Sequence, residues 1–130
     1  TVATFLFGQR TPPMKISLAS AAVKMPGGYL EITAADFARV SYQGRLIDVR
    51  EPAEFVGELG HLPRAELVPL ATILEKAAVW NREEPLVLVC RSGARSGRAA
   101  QQLVAMGFRH VVNLGGGMLG VNAAGMPTDR

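Results

Sequence analysis

The stretch PLVLVCRSGARSGRAAQQLVAMGF, residues 85–108, decides the fold. Its apolar run PLVLVC shows no polar alternation, which is typical of a strand buried on both faces of a sheet. Small and apolar residues then recur at helical spacing and predict a helix from about Ser96 to Met106. Two arginines and a glycine lie between the two elements. The stretch therefore predicts a strand, a tight loop and a helix, which is the repeating unit of a parallel sheet.

Strands and helices alternate along the rest of the chain as well. The pattern predicts helices in ITAADFARVSYQG, EPAEFVGELG, ATILEKAAVWN and MLGVNAAG, and strands in RLIDVR, ELVPL and HVVNL. In ATILEKAAVWN, we expect the inward side chains to be Ile73, Leu74, Ala77 and Ala78. The fold class is therefore α/β, with an open parallel five-stranded sheet and helices on both faces. We assign residues 29–130 to this domain and residues 1–28 to an N-terminal tail or linker.

The composition of the chain argues against several classes of function. The 130 residues suit one folded domain, with 48% hydrophobic and 19% charged residues. The net charge of +3 comes without a dense Lys/Arg tract, which argues against nucleic acid as a partner. No apolar run approaches the roughly 18 residues that a membrane span requires. One cysteine cannot form an internal disulfide or a CxxC pair, and it fits a reducing, cytoplasmic compartment. We predict neither a metal nor a cofactor.

That cysteine, Cys90, stands where the buried strand ends and a helix is about to begin. Ligands of open parallel sheets bind beyond the carboxyl ends of the strands. Loop amides and a helix N-terminus together form a cradle for an anion. A nearby arginine such as Arg95 would lower the thiol pKa further. We therefore predict a reactive thiolate, the alternative being a small buried hydrophobic residue.

Three motifs resemble the rhodanese family of sulfurtransferases, over about residues 31–128. They are the loop CRSGARS (90–96), the run LIDVREPAEFVGELGHLPRAELVPL (46–70) and the closing segment VVNLGGGMLGVNAAGMP (111–127). The resemblance implies a rhodanese-like fold and a cofactor-free thiosulfate sulfurtransferase in which Cys90 carries the sulfur as a persulfide. It also implies that the substrate is held by the rest of the loop, Arg91, Ser92, Gly93, Ala94, Arg95 and Ser96.

The partners implied by this resemblance are a small anionic sulfur donor and an acceptor. Thiosulfate or a glutathione persulfide would be the donor, and a thiol or cyanide the acceptor. The stretch RTPPMKI, residues 10–16, looks like a segment near the end of persulfide dioxygenase domains. This likeness suggests that the domain is fused to such an enzyme or acts with one.

Several positions outside the loop have expected supporting roles. Asp48 and Arg50 are predicted to shape the loop indirectly, through a structural ion pair with Glu51 or Glu54. His61, in a Gly-His-Leu-Pro turn, is predicted to be structural. Arg64 stands where the family usually has glycine, so we expect a different turn there.

Val121 replaces a tryptophan that is common in the family's final helix. We expect this replacement to leave one wall of the site more open.

Two alternatives remain open from the sequence. Tyrosine-phosphatase-like enzymes of this fold also use a thiolate in an anion cradle, but with five residues between cysteine and arginine. Here four residues, 91–94, separate Cys90 from Arg95, and the loop carries no Asp or Glu to act as a general acid. Phosphatase or arsenate-reductase chemistry is therefore the second hypothesis. A non-catalytic rhodanese module that only binds a partner is the third.

Overall fold

The computed structural model describes residues 15–130, so predictions made for residues 1–14 lie outside the described residues. The strands are β1 (Val23–Lys24), β2 (Leu30–Thr33), β3 (Arg45–Asp48), β4 (Glu66–Leu67), β5 (Leu86–Val89) and β6 (Val111–Gly115). The helices are α1 (Leu18–Ala21), α2 (Ala34–Phe37), α3 (Pro52–Phe55), α4 (Ile73–Ala77), α5 (Ala94–Ala105) and α6 (Gly117–Ala123), with a 3₁₀ turn over Leu70–Thr72.

The strands form one sheet in the order β1-β2-β6-β5-β3-β4. All neighbours pair in parallel except β1, which runs antiparallel to β2. The predicted α/β class is confirmed, but the predicted count of five strands is wrong because this sheet has six.

The stretches predicted to be strands correspond to β3, β4, β5 and β6. Strands β1 and β2 were not located, and Ile32 lies in β2 although the sequence placed it in a helix. Val23 of β1 pairs with Glu31 of β2 across a turn at Met25–Gly28. A two-residue edge strand carries too little periodic signal to be recognised from sequence.

Two layers of helices bury the two faces of the sheet. Leu86 and Leu88 of β5 pack with residues of α4 and α5, whereas Val87 and Val89 pack with residues of α2 and α6. All four side chains are fully buried, which explains the unbroken apolar run in the sequence. On α4, the predicted inward residues Ile73 and Ala77 are buried. Leu74 and Ala78 were wrongly predicted to be inward, because this five-residue helix presents only one short stripe to the sheet.

The two positions that depart from the family pattern, Arg64 and Val121, lie in a turn and in the core, respectively. Arg64 adopts the left-handed conformation that glycine favours, with φ of 70°, so the turn is retained despite the side chain. Val121 is fully buried in the core layer that contains Phe37 of α2. Its side chain therefore packs into the core, and the more open wall expected from the loss of the tryptophan stays a prediction.

Helix α5 begins at Ala94, two residues earlier than predicted. Gly93 is its N-cap residue, with φ of 104°, a left-handed conformation that lets the chain turn at once from the loop into the helix. Ser96 consequently lies in the first helical turn, where side chains point back toward the helix N-terminus. This early start directs the Ser96 hydroxyl toward Cys90.

The start of α6 holds the other end of the Cys90 loop. The backbone N–H groups of Met118 and Leu119 donate to the carbonyl oxygens of Cys90 and Arg91, at 2.8 and 3.0 Å. A side chain at Gly117 would overlap the Cys90 carbonyl oxygen and come within 2.6 Å of that of Arg91. The glycine turn of the third motif therefore allows the close approach that fixes the first motif.

Candidate active site

Cys90 follows β5 directly, near the centre of the sheet. The residue is 1% exposed, so its sulfur is buried. The Gly93 backbone N–H donates to Cys90 Sγ at 3.1 Å, and the Ser96 hydroxyl lies 3.3 Å from the same atom. The loop and the first turn of α5 therefore converge on the sulfur, as predicted for an anion cradle.

These contacts favour the ionised form of the thiol. Burial is the largest single influence and by itself would raise the pKa of Cys90. Hydrogen bonds from the Ser96 hydroxyl and from the backbone N–H groups of Ser96, Gly93 and Ser92 act in the opposite direction. Together they outweigh burial and leave the pKa of Cys90 below its ordinary value. The hydrogen bonds of the loop and of Ser96 therefore favour the thiolate form of Cys90 over the thiol.

A polar network behind Ser96 was not predicted from the sequence. The Ser96 hydroxyl donates to Asn113 Oδ1 at 2.5 Å. Asn113 Nδ2 donates to Glu31 Oε1 at 2.8 Å and to the Gly93 carbonyl oxygen at 3.1 Å. In the sheet register Asn113 lies between Glu31 of β2 and Leu88 of β5. The available signal was an amide inside the apolar strand VVNLG, and Asn113 is indeed 1% exposed.

Arg95 takes a different partner from the one predicted. Its guanidinium donates to both carboxylate oxygens of Glu54, each at 2.8 Å. The hydrogen bonds from Arg95 lower the pKa of Glu54 to about 2, and those to Glu54 raise the pKa of Arg95. The negative charge of Cys90 adds a smaller contribution to the raised pKa of Arg95. The thiolate therefore relies on Ser96 and the loop amides more than on this arginine.

Asp48 and Arg50 form a buried ion pair with each other. The Arg50 guanidinium donates to both Asp48 carboxylate oxygens, the shortest contact being 2.7 Å, and to the Gly60 carbonyl oxygen at 2.7 Å. The prediction that Glu51 or Glu54 would be the partner is wrong, because the Glu51 and Glu54 side chains cap α3. The pair ties the end of β3 to the turn at Gly60.

His61 follows that turn. Its Nδ1 donates to the Phe55 carbonyl oxygen at 2.7 Å, and its ring stacks on the Phe55 ring with centroids 3.6 Å apart. These contacts agree with the structural role predicted for His61, since they hold α3 to the turn.

A cleft of about 300 Å³ opens beside the loop. Its lining comprises Arg50, Ala53, Glu54, Gly57, Glu58, Leu59 and Arg91. Of the predicted substrate-binding residues, Gly93 and Ser96 contact the sulfur, whereas Arg91, Ser92 and Ala94 are exposed around it. Arg91 therefore places a positive charge where a small anion would enter.

The described part of the chain offers neither a metal site nor a membrane-spanning helix. Residues 15–130 contain no group of three or more His, Cys, Asp or Glu side chains arranged to hold a metal ion. Within the same residues, no helix has the length and apolar character needed to cross a membrane.

Comparisons with known proteins agree with the geometry. The family described as Rhodanese-like domain matches residues 33–124. A solved rhodanese-like domain protein from Staphylococcus aureus superposes with a TM-score of 0.62 at 31% identity, covering 70% of this chain and 89% of that one. The thiosulfate sulfurtransferase GlpE of Vibrio cholerae is 27% identical over 101 residues, which cover 78% of this chain and 93% of the relative.

Another relative shows that the domain also occurs within longer proteins. An uncharacterized protein from Synechocystis is 42% identical over 83 residues, or 64% of this chain. The matched region spans only 45% of that protein.

Proposed function

Because the chain belongs to the rhodanese-like domain family, we propose that it is a sulfurtransferase whose Cys90 carries a sulfane sulfur. The donor is thiosulfate or a glutathione persulfide, and the acceptor is a thiol or, in an assay, cyanide. The observation that carries this proposal is the position of Cys90 Sγ, at 3.1 Å from the Gly93 N–H and 3.3 Å from the Ser96 hydroxyl. Relatives named as sulfurtransferases support the reaction class.

The first half-reaction is attack by the Cys90 thiolate on the outer sulfur of thiosulfate. The new bond joins Cys90 Sγ to that sulfur, and the old sulfur–sulfur bond breaks with its electron pair leaving on sulfite. Sulfite is a weak base, so the step needs no general acid. The product is a Cys90 persulfide whose negative charge lies on the outer sulfur. Backbone N–H groups at the N-terminus of α5 suit a negative charge there.

The second half-reaction returns the sulfur to an acceptor. A thiolate or cyanide attacks the outer sulfur, the bond to Cys90 Sγ breaks, and Cys90 leaves as a thiolate. The hydrogen bonds that lower the pKa of Cys90 also make it a better leaving group. The same cradle therefore serves both directions of transfer.

Arg91 is the residue we assign to capture of the anionic donor. It is exposed and lines the cleft beside the loop. Arg95 is already held by Glu54, so its charge is partly neutralised in the free protein. We expect Arg91→Ala to raise the KM for thiosulfate more than it changes kcat, since a charge at the entrance mainly affects binding.

The test is intact-protein mass spectrometry after a brief incubation with thiosulfate, with Cys90→Ser as the matched control. A gain of about 32 Da in the wild type alone would show the Cys90 persulfide. Thiocyanate formation from thiosulfate and cyanide should then disappear in Cys90→Ser. Persulfide formation or turnover in that variant would overturn the proposal.

The same samples separate the alternatives. Release of phosphate from a phosphate monoester, without a persulfide from either donor, would favour the phosphatase hypothesis. If neither reaction occurs and the thiol alkylates slowly at neutral pH, the domain is a binding module with a buried cysteine.

A further inference from the structure

The Ser96 hydroxyl lies near three acceptors but carries one proton. Its oxygen is 2.5 Å from Asn113 Oδ1, 3.3 Å from Cys90 Sγ and 3.4 Å from the Gly93 carbonyl oxygen. A serine hydroxyl donates one hydrogen bond at a time. The Gly93 carbonyl is the most distant of the three and already accepts from Asn113 Nδ2. The Ser96 donor is therefore directed mainly to the amide oxygen or mainly to the sulfur, and rotation about the Cβ–Oγ bond switches between the two.

The orientation of the Asn113 amide is fixed by its other contacts. Its Nδ2 faces the Glu31 carboxylate at 2.8 Å and the Gly93 carbonyl oxygen at 3.1 Å. Both neighbours are acceptors, so the NH₂ group must face them and the amide oxygen must face Ser96. Asn113 and Ser96 are at most 1% exposed, so water does not compete freely for these bonds. The register of β2 with β6, which pairs Glu31 with Asn113, builds this arrangement into the sheet.

We propose that Asn113 and Glu31 are positioning residues that hold the Ser96 hydroxyl as a movable donor, directed to Asn113 when Cys90 Sγ is uncharged and to the sulfur when Sγ is a thiolate. Glu31 strengthens Asn113 as an acceptor, because a hydrogen bond to a carboxylate polarises the amide. The thiol proton leaves through the loop to water. Asn113 and Glu31 contact neither the sulfur nor the cleft, so they act through Ser96.

This arrangement matches the changes in charge during sulfur transfer, and that part of the inference rests on the proposed function. The negative charge lies on Sγ in the free thiolate and moves to the outer sulfur in the persulfide. The hydroxyl follows by turning to Asn113 when the persulfide forms and back to Sγ when the acceptor removes the outer sulfur. Ser96 would then stabilise Cys90 both as the nucleophile and as the leaving group.

Other charged groups near the loop must be separated from this effect. They lie on the elements around Cys90 and are Glu31 on β2, Asp48 and Arg50 at the end of β3, Glu54 on α3, Arg91 in the loop and Arg95 on α5. Asp48 pairs with Arg50 and Glu54 with Arg95, and Arg91 is exposed. Glu31 is connected to the sulfur by hydrogen bonds through Asn113 and Ser96, so its effect should depend on the Ser96 hydroxyl.

The experiment is a titration of the Cys90 thiolate by its ultraviolet absorbance in wild type, Ser96→Ala, Glu31→Gln and the double variant. This readout requires no sulfur donor and no reagent that must reach the buried sulfur. We expect S96A to lower the thiolate fraction at neutral pH by about fivefold to tenfold, since a charge-assisted hydrogen bond is lost. We expect E31Q to raise that fraction, because Asn113 becomes a weaker competitor for the hydroxyl.

The decisive comparison is E31Q in the S96A background. In the S96A background, E31Q should raise the thiolate fraction of Cys90 by less than it does in the wild type. Only the direct effect of removing the Glu31 charge should remain, because the Ser96 hydroxyl that transmits the rest is absent. An equal effect in both backgrounds would overturn the proposal. Ser41→Ala, at an exposed serine outside the site, is the matched serine control and should leave the titration unchanged. Glu75→Gln, an exposed carboxylate on α4, is the charge control.

Mass spectrometry of the same variants with thiosulfate keeps the two proposals separate. If the titrations behave as expected but the wild type gains no sulfur, the positioning role stands and sulfur transfer fails. If the wild type gains sulfur but E31Q and S96A act additively on the titration, sulfur transfer stands and the positioning role fails.

Discussion

Two arginine–carboxylate pairs flank the Cys90 loop, and they differ in burial rather than in contact distance. Asp48 and Arg50 approach to 2.7 Å and are at most 1% exposed. Glu54 and Arg95 approach to 2.8 Å but are 30% and 32% exposed. A buried pair must remain intact, because either charge alone would be stranded away from water. An exposed pair contributes little to stability and can exchange partners at low cost.

This difference assigns the two pairs to different tasks. The Asp48–Arg50 pair fixes the turn at Gly60, and Arg50 lines the cleft from a fully buried position. In the Glu54–Arg95 pair, Glu54 lines the cleft and both side chains are partly exposed, so an anion that enters the cleft can compete with Glu54 for the guanidinium. We therefore expect the first pair to control folding and the second to control donor binding.

The largest effect should come from breaking the buried pair. Asp48→Asn keeps the shape of the side chain but leaves the Arg50 guanidinium buried without a counter-charge. We expect a loss of about 3 kcal/mol or more in the free energy of unfolding, measured by urea denaturation. Glu54→Gln is the matched variant of the exposed pair and should cost about 1 kcal/mol or less. Similar losses in the two variants would contradict the comparison.

Variants of the exposed Glu54–Arg95 pair should change the affinity for the sulfur donor. Arg95→Ala removes a charge that the donor can use, so we expect the KM for thiosulfate to rise roughly threefold to tenfold. Glu54→Gln removes the competitor for Arg95, so the KM should fall. Steady-state thiocyanate formation measures both variants. Changes of the same sign would show that Glu54 only keeps Arg95 in place.

The sequence predicted the local parts of the site better than its long-range contacts. The loop around Cys90 follows from residues adjacent in the chain, and an apolar strand before a helix predicts that the loop lies at the carboxyl end of that strand. The partner of Arg95 does not follow in this way. Arg95 reaches Glu54 across 41 positions, and that contact depends on how α3 lies against α5. Arg50 does pair with a nearby acidic residue, but that residue is Asp48, two positions away, and not Glu51 or Glu54. Nearness in sequence therefore did not identify the right carboxylate among several.

The polar network behind Ser96 depends even more on contacts between residues that are distant in the sequence. Asn113 and Glu31 are 82 positions apart and become neighbours only through the register of two parallel strands. An amide in an apolar strand was a visible signal that it would need a buried partner. The identity of that partner required the strand order, in which β6 lies between β2 and β5.

A smaller effect should appear in the acid stability of the exposed pair. The pKa of Glu54 is lowered from 4.5 to about 2 in the folded protein, mainly by hydrogen bonds from Arg95. A lowered pKa contributes stability above the unfolded value, and this contribution is lost as the pH falls from 4.5 toward about 2. Because the pair is about one-third exposed, we expect the contribution to be about 1 kcal/mol at most.

Urea denaturation of wild type and Glu54→Gln at neutral pH and near the lower end of this range measures that contribution. The stability difference between the two proteins should shrink in acid, because protonated Glu54 resembles glutamine. A difference that stays constant across the range would show that the ion pair does not respond to pH as proposed.

The smallest expected change in stability is at Arg64, whose guanidinium binds a backbone carbonyl oxygen and not a carboxylate. Arg64 Nη2 donates to the Tyr42 carbonyl oxygen at 3.1 Å, while its own φ is 70°. The left-handed conformation costs a non-glycine residue roughly 1 kcal/mol, which is comparable to one exposed hydrogen bond. Arg64→Gly should therefore raise the free energy of unfolding by about 0.5 kcal/mol at most, whereas Arg64→Ala should lower it by a similar amount. Equal stability of the two variants in thermal denaturation would show that backbone strain at this turn is negligible, and that the hydrogen bond to Tyr42 accounts for what Arg64 contributes.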